Sequence, residues 1–179
     1  MSLISRITEV IQQIAIDIKA LNSNTNLNRQ IKFLTAEFNT TLNSLTEITQ
    51  FRTPLTKGIY RVSLSGNFRT VATTTGGKIY FRFSGTSNSS GYIECNLTHL
   101  AAATNLRSTI NDIDIATYDT RNGIVTTGVG AISTPVNYNS ELYVQVLTEG
   151  NLSVYFGSEI AGSAITFELP TVLIIEKIN

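Results

Sequence analysis

Few residues in this 179-residue chain are equipped for chemistry, and they are badly placed for it. There is one histidine, His99, and one cysteine, Cys95, four positions apart. A nucleophilic triad or a Cys-His pair would have to take His99 as its base. Cys95 falls in a strand-like run from Tyr92 to Leu97 and His99 at its exit, where side-chain alternation and the following turn set the two apart. One Cys and one His fall short of a zinc site, and a lone cysteine in a strand reads as a buried thiol. No metal and no cofactor are therefore expected. The carboxylates that remain are Glu94, Asp112, Asp114, Asp119, Glu141 and Glu149. Asp112 and Asp114 share one face if they lie on a strand, and a glycosidase needs two carboxyls roughly 5–10 Å apart. The plainer reading makes both of them solvent-facing positions beside Ile113 and Ile115. With Asn111 the pair could hold Ca²⁺, but the roughly 12-residue calcium-loop pattern is missing. Thr74-Thr-Gly-Gly77 lacks the Gly-Lys-Ser/Thr signature of a phosphate loop. Catalysis is not expected, and binding is what remains. Sugar recognition combines an aromatic face with planar polar groups. Asn88 with Tyr92, and Tyr118 with Arg121 and Asn122, offer such combinations, although each Tyr can equally serve as a sheet residue at the rim of the core.

The composition narrows the partners. Charge is sparse and balanced, 13 basic against 13 acidic residues, with no basic block. Nucleic acid and anionic lipid surfaces are thus not expected partners. No apolar run approaches the roughly 18–20 residues that span a bilayer. The N-terminus lacks the basic region, continuous apolar stretch and cleavage site of a signal peptide, so synthesis in a cytoplasm is expected. Thr, Ser and Asn number 25, 16 and 16, and these side chains favour strand surfaces and turns. Neutral hydroxyls and amides with few charges suit a stable particle surface better than a metabolic enzyme.

The element that organises the chain lies at its start. Ile4, Ile11 and Ile18 are seven apart, and so are Ile7, Ile14 and Leu21, which places them at the a and d positions of three heptads. Ile at both positions favours three or four strands over two, and Leu3 and Val10 widen the stripe. Residues 1–27 are predicted to form a trimerising coiled-coil stem, ended by the helix-poor Asn22-Ser-Asn-Thr-Asn-Leu-Asn28. Residues 28–50 are expected to form a connector or shoulder, with a short helix before about residue 38 and then a first strand.

From residue 51 the period changes to two, and residues 51–179 are predicted to form a β-sandwich head. Tyr60, Val62 and Leu64 alternate with Ile59, Arg61, Ser63 and Ser65 in a strand ending at Gly66. Ile79, Phe81 and Phe83 mark the next strand, and 85–91 reads as a flexible loop. Further strands are expected at 92–97, near 112–118, at 124–127 and at 141–147. Glu149-Gly-Asn151 gives a hairpin signal before the strand at 152–156. The closing run Thr171–Ile178 is apolar without alternation, as in a strand buried on both faces at a subunit interface. Many short strands and no βαβ pattern give a mainly β fold, an antiparallel sandwich.

Gly58-Ile-Tyr-Arg-Val-Ser-Leu-Ser65, Glu141-Leu-Tyr-Val-Gln-Val-Leu147, Ile165-Thr-Phe167 and the final apolar strand together resemble a known jelly roll. It is that of the complement globular head and tumour necrosis factor superfamily, over roughly residues 45–179. The resemblance implies a head trimer interface at Tyr143, Val172, Ile174 and Ile175. One departure is that Phe167 is followed by Glu168-Leu-Pro170 instead of the family's Phe-x-Gly-Phe-like element. A short trimerising helix joined to such a head is similar to small fibre and receptor-binding proteins of bacteriophages. That implies a homotrimer on a virion surface, made in the host cytoplasm. Its stem would attach to a tail or capsid protein, and its head would bind a host-surface glycan or protein. The alternatives are a capsid decoration or head-fibre protein with no receptor, and a small polysaccharide-degrading enzyme working through Asp112 and Asp114.

Overall fold

In the computed structural model the described residues are Ile7, 10–14, 28–97, 104–114, 122–126, 128 and 135–179. Thirteen strands are defined among them: β1 (Arg29–Phe33), β2 (Phe38–Thr40), β3 (Thr46–Glu47), β4 (Thr53–Leu55), β5 (Gly58–Thr70), β6 (Gly77–Phe83), β7 (Ser87–Leu97), β8 (Thr104–Ile110), β9 (Gly123–Val125), β10 (Val136–Val146), β11 (Gly150–Ser158), β12 (Ile165–Phe167) and β13 (Val172–Lys177). One sheet runs β1-β13-β5-β10-β7-β8, with β12 beside β5 and β2 beside β12; the other runs β3-β11-β6-β9, with β4 also on β11. Every pairing is antiparallel.

The pairings are nested. β1 pairs with β13, β3 and β4 with β11, β5 with β10, and β6 with β9. A long antiparallel ribbon that pairs first with last and then rolls up deals its strands alternately to two sheets, which is the construction of a jelly roll. The β7–β8 hairpin interrupts this order between β6 and β9 and adds two strands to the first sheet beyond β10.

The core lies between the sheets and is built by alternation. Val62, Leu64 and Phe68 of β5, Leu142 and Val144 of β10, and Leu173 and Ile175 of β13 face Ile79 and Phe81 of β6 and Leu152, Val154 and Phe156 of β11, all at most 2% exposed. An aromatic cluster ties the layers together: Phe156 stacks on Phe167 at 3.9 Å and 9°, and Tyr138 meets both rings edge-on at 6.1 Å. Fully burying one such side chain stabilises the fold by ~1.5–3 kcal/mol.

Several sequence expectations need correction. Residues 28–50 are no shoulder. They carry β1, β2 and β3, and β1 is an integral edge of the larger sheet. The expected helix before residue 38 is replaced by a strand because Ile31 and Phe33 alternate with Gln30 and Lys32. β5 does not stop at Gly66 but runs to Thr70. Gly66 is a slot: a Cβ there would lie 2.6 Å from the Tyr138 hydroxyl, which bonds Thr171 Oγ1 at 2.9 Å. The loop expected at 85–91 is mostly strand β7; of the strand expected near 112–118, residues 112–114 are not a strand and 115–118 lie outside the described residues, and the preceding strand β8 ends at Ile110. The 147–149 turn is not a hairpin, since β10 and β11 belong to different sheets.

At the N-terminus Ile7 and residues 10–14 are helical, and Ile7, Val10, Ile11 and Ile14 are each at least 51% exposed. A helical segment is therefore present, and the coiled coil expected over 1–27 is not borne out by the single chain. Ile4, Ile18 and Leu21 lie outside the described residues. Among the described residues no helix is long and apolar enough to cross a membrane.

Candidate functional site

Strand β1 is built inside out. Its apolar residues Ile31 and Phe33 are 47% and 55% exposed, while Lys32 points the other way and donates to the Arg52 carbonyl. Partial burial pulls the Lys32 ammonium below its ordinary range. A strand serving only its own sandwich would turn Ile31 and Phe33 inward. Register carries this polarity onto β13, where Ile31 pairs with Ile174 and Phe33 with Val172, both half-buried on the outer face. The larger sheet thus presents an apolar patch on the side away from its core; Ile59 and Tyr143, 37% and 47% exposed on the same face, stand apart from it beyond Ser63, Arg61 and Glu176.

Across β5 and β10 the same face turns polar. Arg61 Nε donates to Glu141 Oε1 at 2.9 Å, and the carboxylate keeps the guanidinium protonated beyond its ordinary range. Tyr143 donates to Glu141 at 3.2 Å. Farther on, the outer face is dominated by amides. Asn67, Asn137 and Asn96 stand side by side across β5, β10 and β7, Asn139 donates to Glu94 at 3.0 Å, and Asn88 to Gln145 at 3.2 Å. Arg107 of β8 lies over the Tyr92 ring, 3.8 Å from its centre. One face therefore has an apolar half on β1 and β13 and an amide-rich, aromatic half on β10, β7 and β8.

The predicted site residues sort themselves against this face. Tyr143 stands on β10 beside the Arg61–Glu141 pair, and Val172 and Ile174 lie on the apolar side. Ile175, assigned with them, does not: strand alternation turns it into the core at 2% exposure. Asn88 and Tyr92 share the outer face of β7, but four residues of strand separate them by ~13 Å, and Asn88 is no loop-tip residue. Asn122 is fully buried and unsuited to a surface site. Tyr118, Arg121, His99 and Asp119 lie outside the described residues. Ile31, Phe33 and Arg107 were missed. The alternation of Arg29-Gln-Ile-Lys-Phe33 was a signal for the first two, but nothing local could announce the stacking of Arg107 on Tyr92.

The carboxylates considered for catalysis are arranged otherwise than expected. Residues 111–114 are not a strand, and Asp112 Oδ1 accepts the Asp114 backbone N–H at 3.0 Å in a tight turn. The Asp114 carboxylate is held by the backbone N–H and hydroxyl of Ser87. Cys95 is buried, and desolvation pushes its thiol up to about 12. Among the described residues no group of three His, Cys, Asp or Glu is placed to hold a metal ion.

No protein-family model matches the chain, and no curated protein matches it significantly. Among solved structures it is similar to the Eiger tumour necrosis factor of S. frugiperda, at 10% identity and a TM-score of 0.39, over 85% of this chain and 94% of that one. It is also similar to the VP2 subviral particle of infectious bursal disease virus, at 16% identity and a TM-score of 0.22, over 84% of this chain and 37% of that one.

Proposed function

We propose that this chain is the protomer of a homotrimeric fibre on a virion surface. The N-terminal helix gathers three copies and attaches them to a tail or capsid protein, and the sandwich heads bind host-surface glycan. The role is binding rather than catalysis. The observation that carries this reading is the inverted polarity of β1, which leaves Ile31 and Phe33 exposed beside the half-buried Val172 and Ile174. An edge strand with apolar residues turned to water is a liability for a protein that stays alone, and self-association removes it. The helical segment repeats the pattern, with Ile7, Ile11 and Ile14 exposed at heptad spacing.

The amide-rich half of the same face is the gripping surface. Asn88, Tyr92 and Arg107 offer planar donors, acceptors and an aromatic face suited to the hydroxyls and C–H faces of sugars. Three such sites on one axis convert weak single contacts into avidity. Sedimentation of the full chain tests the assembly, and binding of the same protein to host cells tests the grip. A species that stays monomeric at all concentrations defeats the first, and a trimer with no cell binding defeats the second.

A further inference from the structure

The outer face of the smaller sheet carries a second feature, separate from everything above. β6 turns Ile79, Phe81 and Phe83 inward, so Arg82 and the following Ser84 face out; β11 turns Leu152 and Val154 inward, so Asn151, Ser153 and Tyr155 face out beside them. The 111–114 segment closes one end, anchored where the Phe83 N–H donates to Ile113 O at 2.7 Å and where Asp114 takes both donors of Ser87. The result is a depression of about 350 Å³ lined by Arg82, Ser84, Asp114, Asn151, Ser153 and Tyr155 over the end of the Phe83 ring. That volume sits at the small end of the ~300–1,000 Å³ of ligand pockets.

We propose that this depression is a binding site for a neutral saccharide. Its chemistry is mixed in the way sugar hydroxyls require. The Asp114 carboxylate is a fixed acceptor, oriented by Ser87. Ser153 commits its proton to Glu47 Oε1 at 2.6 Å, so its oxygen turns lone pairs outward. Glu47 is in turn fixed by Arg52 Nε at 2.8 Å, which makes this wall rigid. Arg82 lies 5.2 Å from the centre of the Tyr155 ring, so a cationic donor and an aromatic wall stand together. Asn151 is exposed and adds an amide that both donates and accepts. One cation and one carboxylate leave the lining without net charge, which disfavours phosphate, and the polar lining disfavours an apolar ligand. In the proposed trimer the larger sheet meets its copies and this face looks outward, but the site needs no trimer.

Saturation-transfer NMR on the full chain, with glucose, galactose and N-acetylglucosamine as probes, tests it. Transfer to at least one sugar is expected. Asn151→Ala and Tyr155→Leu should each weaken the binding by about fivefold or more, while Val71→Ser, at an exposed position in neither surface, leaves it unchanged. Thermal melts confirm that each variant is folded, and Asn151, being exposed, carries the test if Tyr155→Leu is not. No transfer to any of the three sugars overturns the assignment, as does transfer that survives both pocket variants. Transfer abolished by Tyr92→Ala alone overturns the pocket while leaving the gripping role of the larger sheet standing.

Discussion

Phe33→Ser removes the apolar group most exposed on β1 without touching the core. Phe33 keeps 55% of its surface in water in the single chain, so an interface over β1 and β13 would bury roughly the other half of what burial offers, ~1.5 kcal/mol per copy. The proposed trimer would use the residue three times, so the loss is ~4.5 kcal/mol per trimer, or ~3 decades in the dissociation constant at ~1.4 kcal/mol per decade. The concentration at which a monomer–trimer equilibrium is half dissociated varies as the square root of that constant. The midpoint should therefore rise roughly 30-fold. Sedimentation velocity over a concentration series reads this directly. The monomer's own stability should change by no more than ~0.5 kcal/mol, because an exposed side chain on an edge strand contributes little to the fold. A midpoint that does not move refutes the assignment of this patch to self-association. A large fall in monomer stability refutes the claim that β1 holds Phe33 outward.

Other expectations follow from the same geometry. Ile11→Lys or Ile14→Lys should loosen the helical end, seen as lost helical circular dichroism, while the heads remain trimeric by sedimentation. Phe156→Ala removes a ring stacked at 3.9 Å on Phe167 and should cost ~3–5 kcal/mol in denaturant unfolding, with a loss below ~1 kcal/mol contradicting its place between the layers. Glu47 is held below its ordinary value of 4.5, chiefly by its hydrogen bonds with Arg52, so its contribution is complete above that value and is lost as pH falls through the lower folded-state value; Glu47→Gln should flatten this acid limb. The Cys95 thiol stays protonated to about 12 when folded but ionises near 9.0 when unfolded, so stability should decline between those values as pH rises; Cys95→Ala should make that slope shallower, the remainder coming from the buried Tyr138 hydroxyl, which burial also raises. If Asp112 and Asp114 serve the turn alone, host polysaccharide incubated with the wild type should release no fragments, and cleavage abolished by Asp112→Asn would reverse the reading.

The core was legible wherever one face of a strand is wet and the other dry. Tyr60, Val62 and Leu64 alternate in sequence as they do in burial, and Ile79, Phe81 and Phe83 share one inward face although Tyr80 is buried between them. Legibility failed where that rule is broken. In Val172–Lys177 the two faces are both apolar, so alternation vanished from the sequence, and Ile175 could not be told from Ile174 although one is core and the other is not. In 29–33 the apolar side faces out, and a short run so close to an Asn-rich break carried too little period to separate strand from helix. The β7–β8 hairpin was hidden because Ser87-Asn-Ser-Ser-Gly91 has the composition of a loop; only its pairing with β10 makes it a strand. The partnership of Asp114 with Ser87, 27 residues away, is a tertiary fact with no local signature.

The inserted hairpin would also let one sheet serve both proposed roles. In the nested ribbon alone the larger sheet runs from β1 to β10, and its outer face is apolar at one edge and ends where the Arg61–Glu141 pair begins. A protomer using that edge for self-association would have little of the face left. β7 and β8 widen the sheet by two strands on the far side of β10, and the outward residues they bring include Asn88, Ser90, Tyr92, Glu94, Asn96, Arg107 and Thr109, none of them aliphatic. The widening therefore adds polar surface, open to the proposed recognition, without enlarging the apolar patch. Deleting the hairpin by joining β6 directly to β9 should consequently spare assembly through β1 and β13 while removing cell binding. The cost to folding falls on Ile93, Cys95, Ile110 and Ile113, which would leave the core with it. Loss of assembly in a variant that still folds would show that the two halves of the face are not separable.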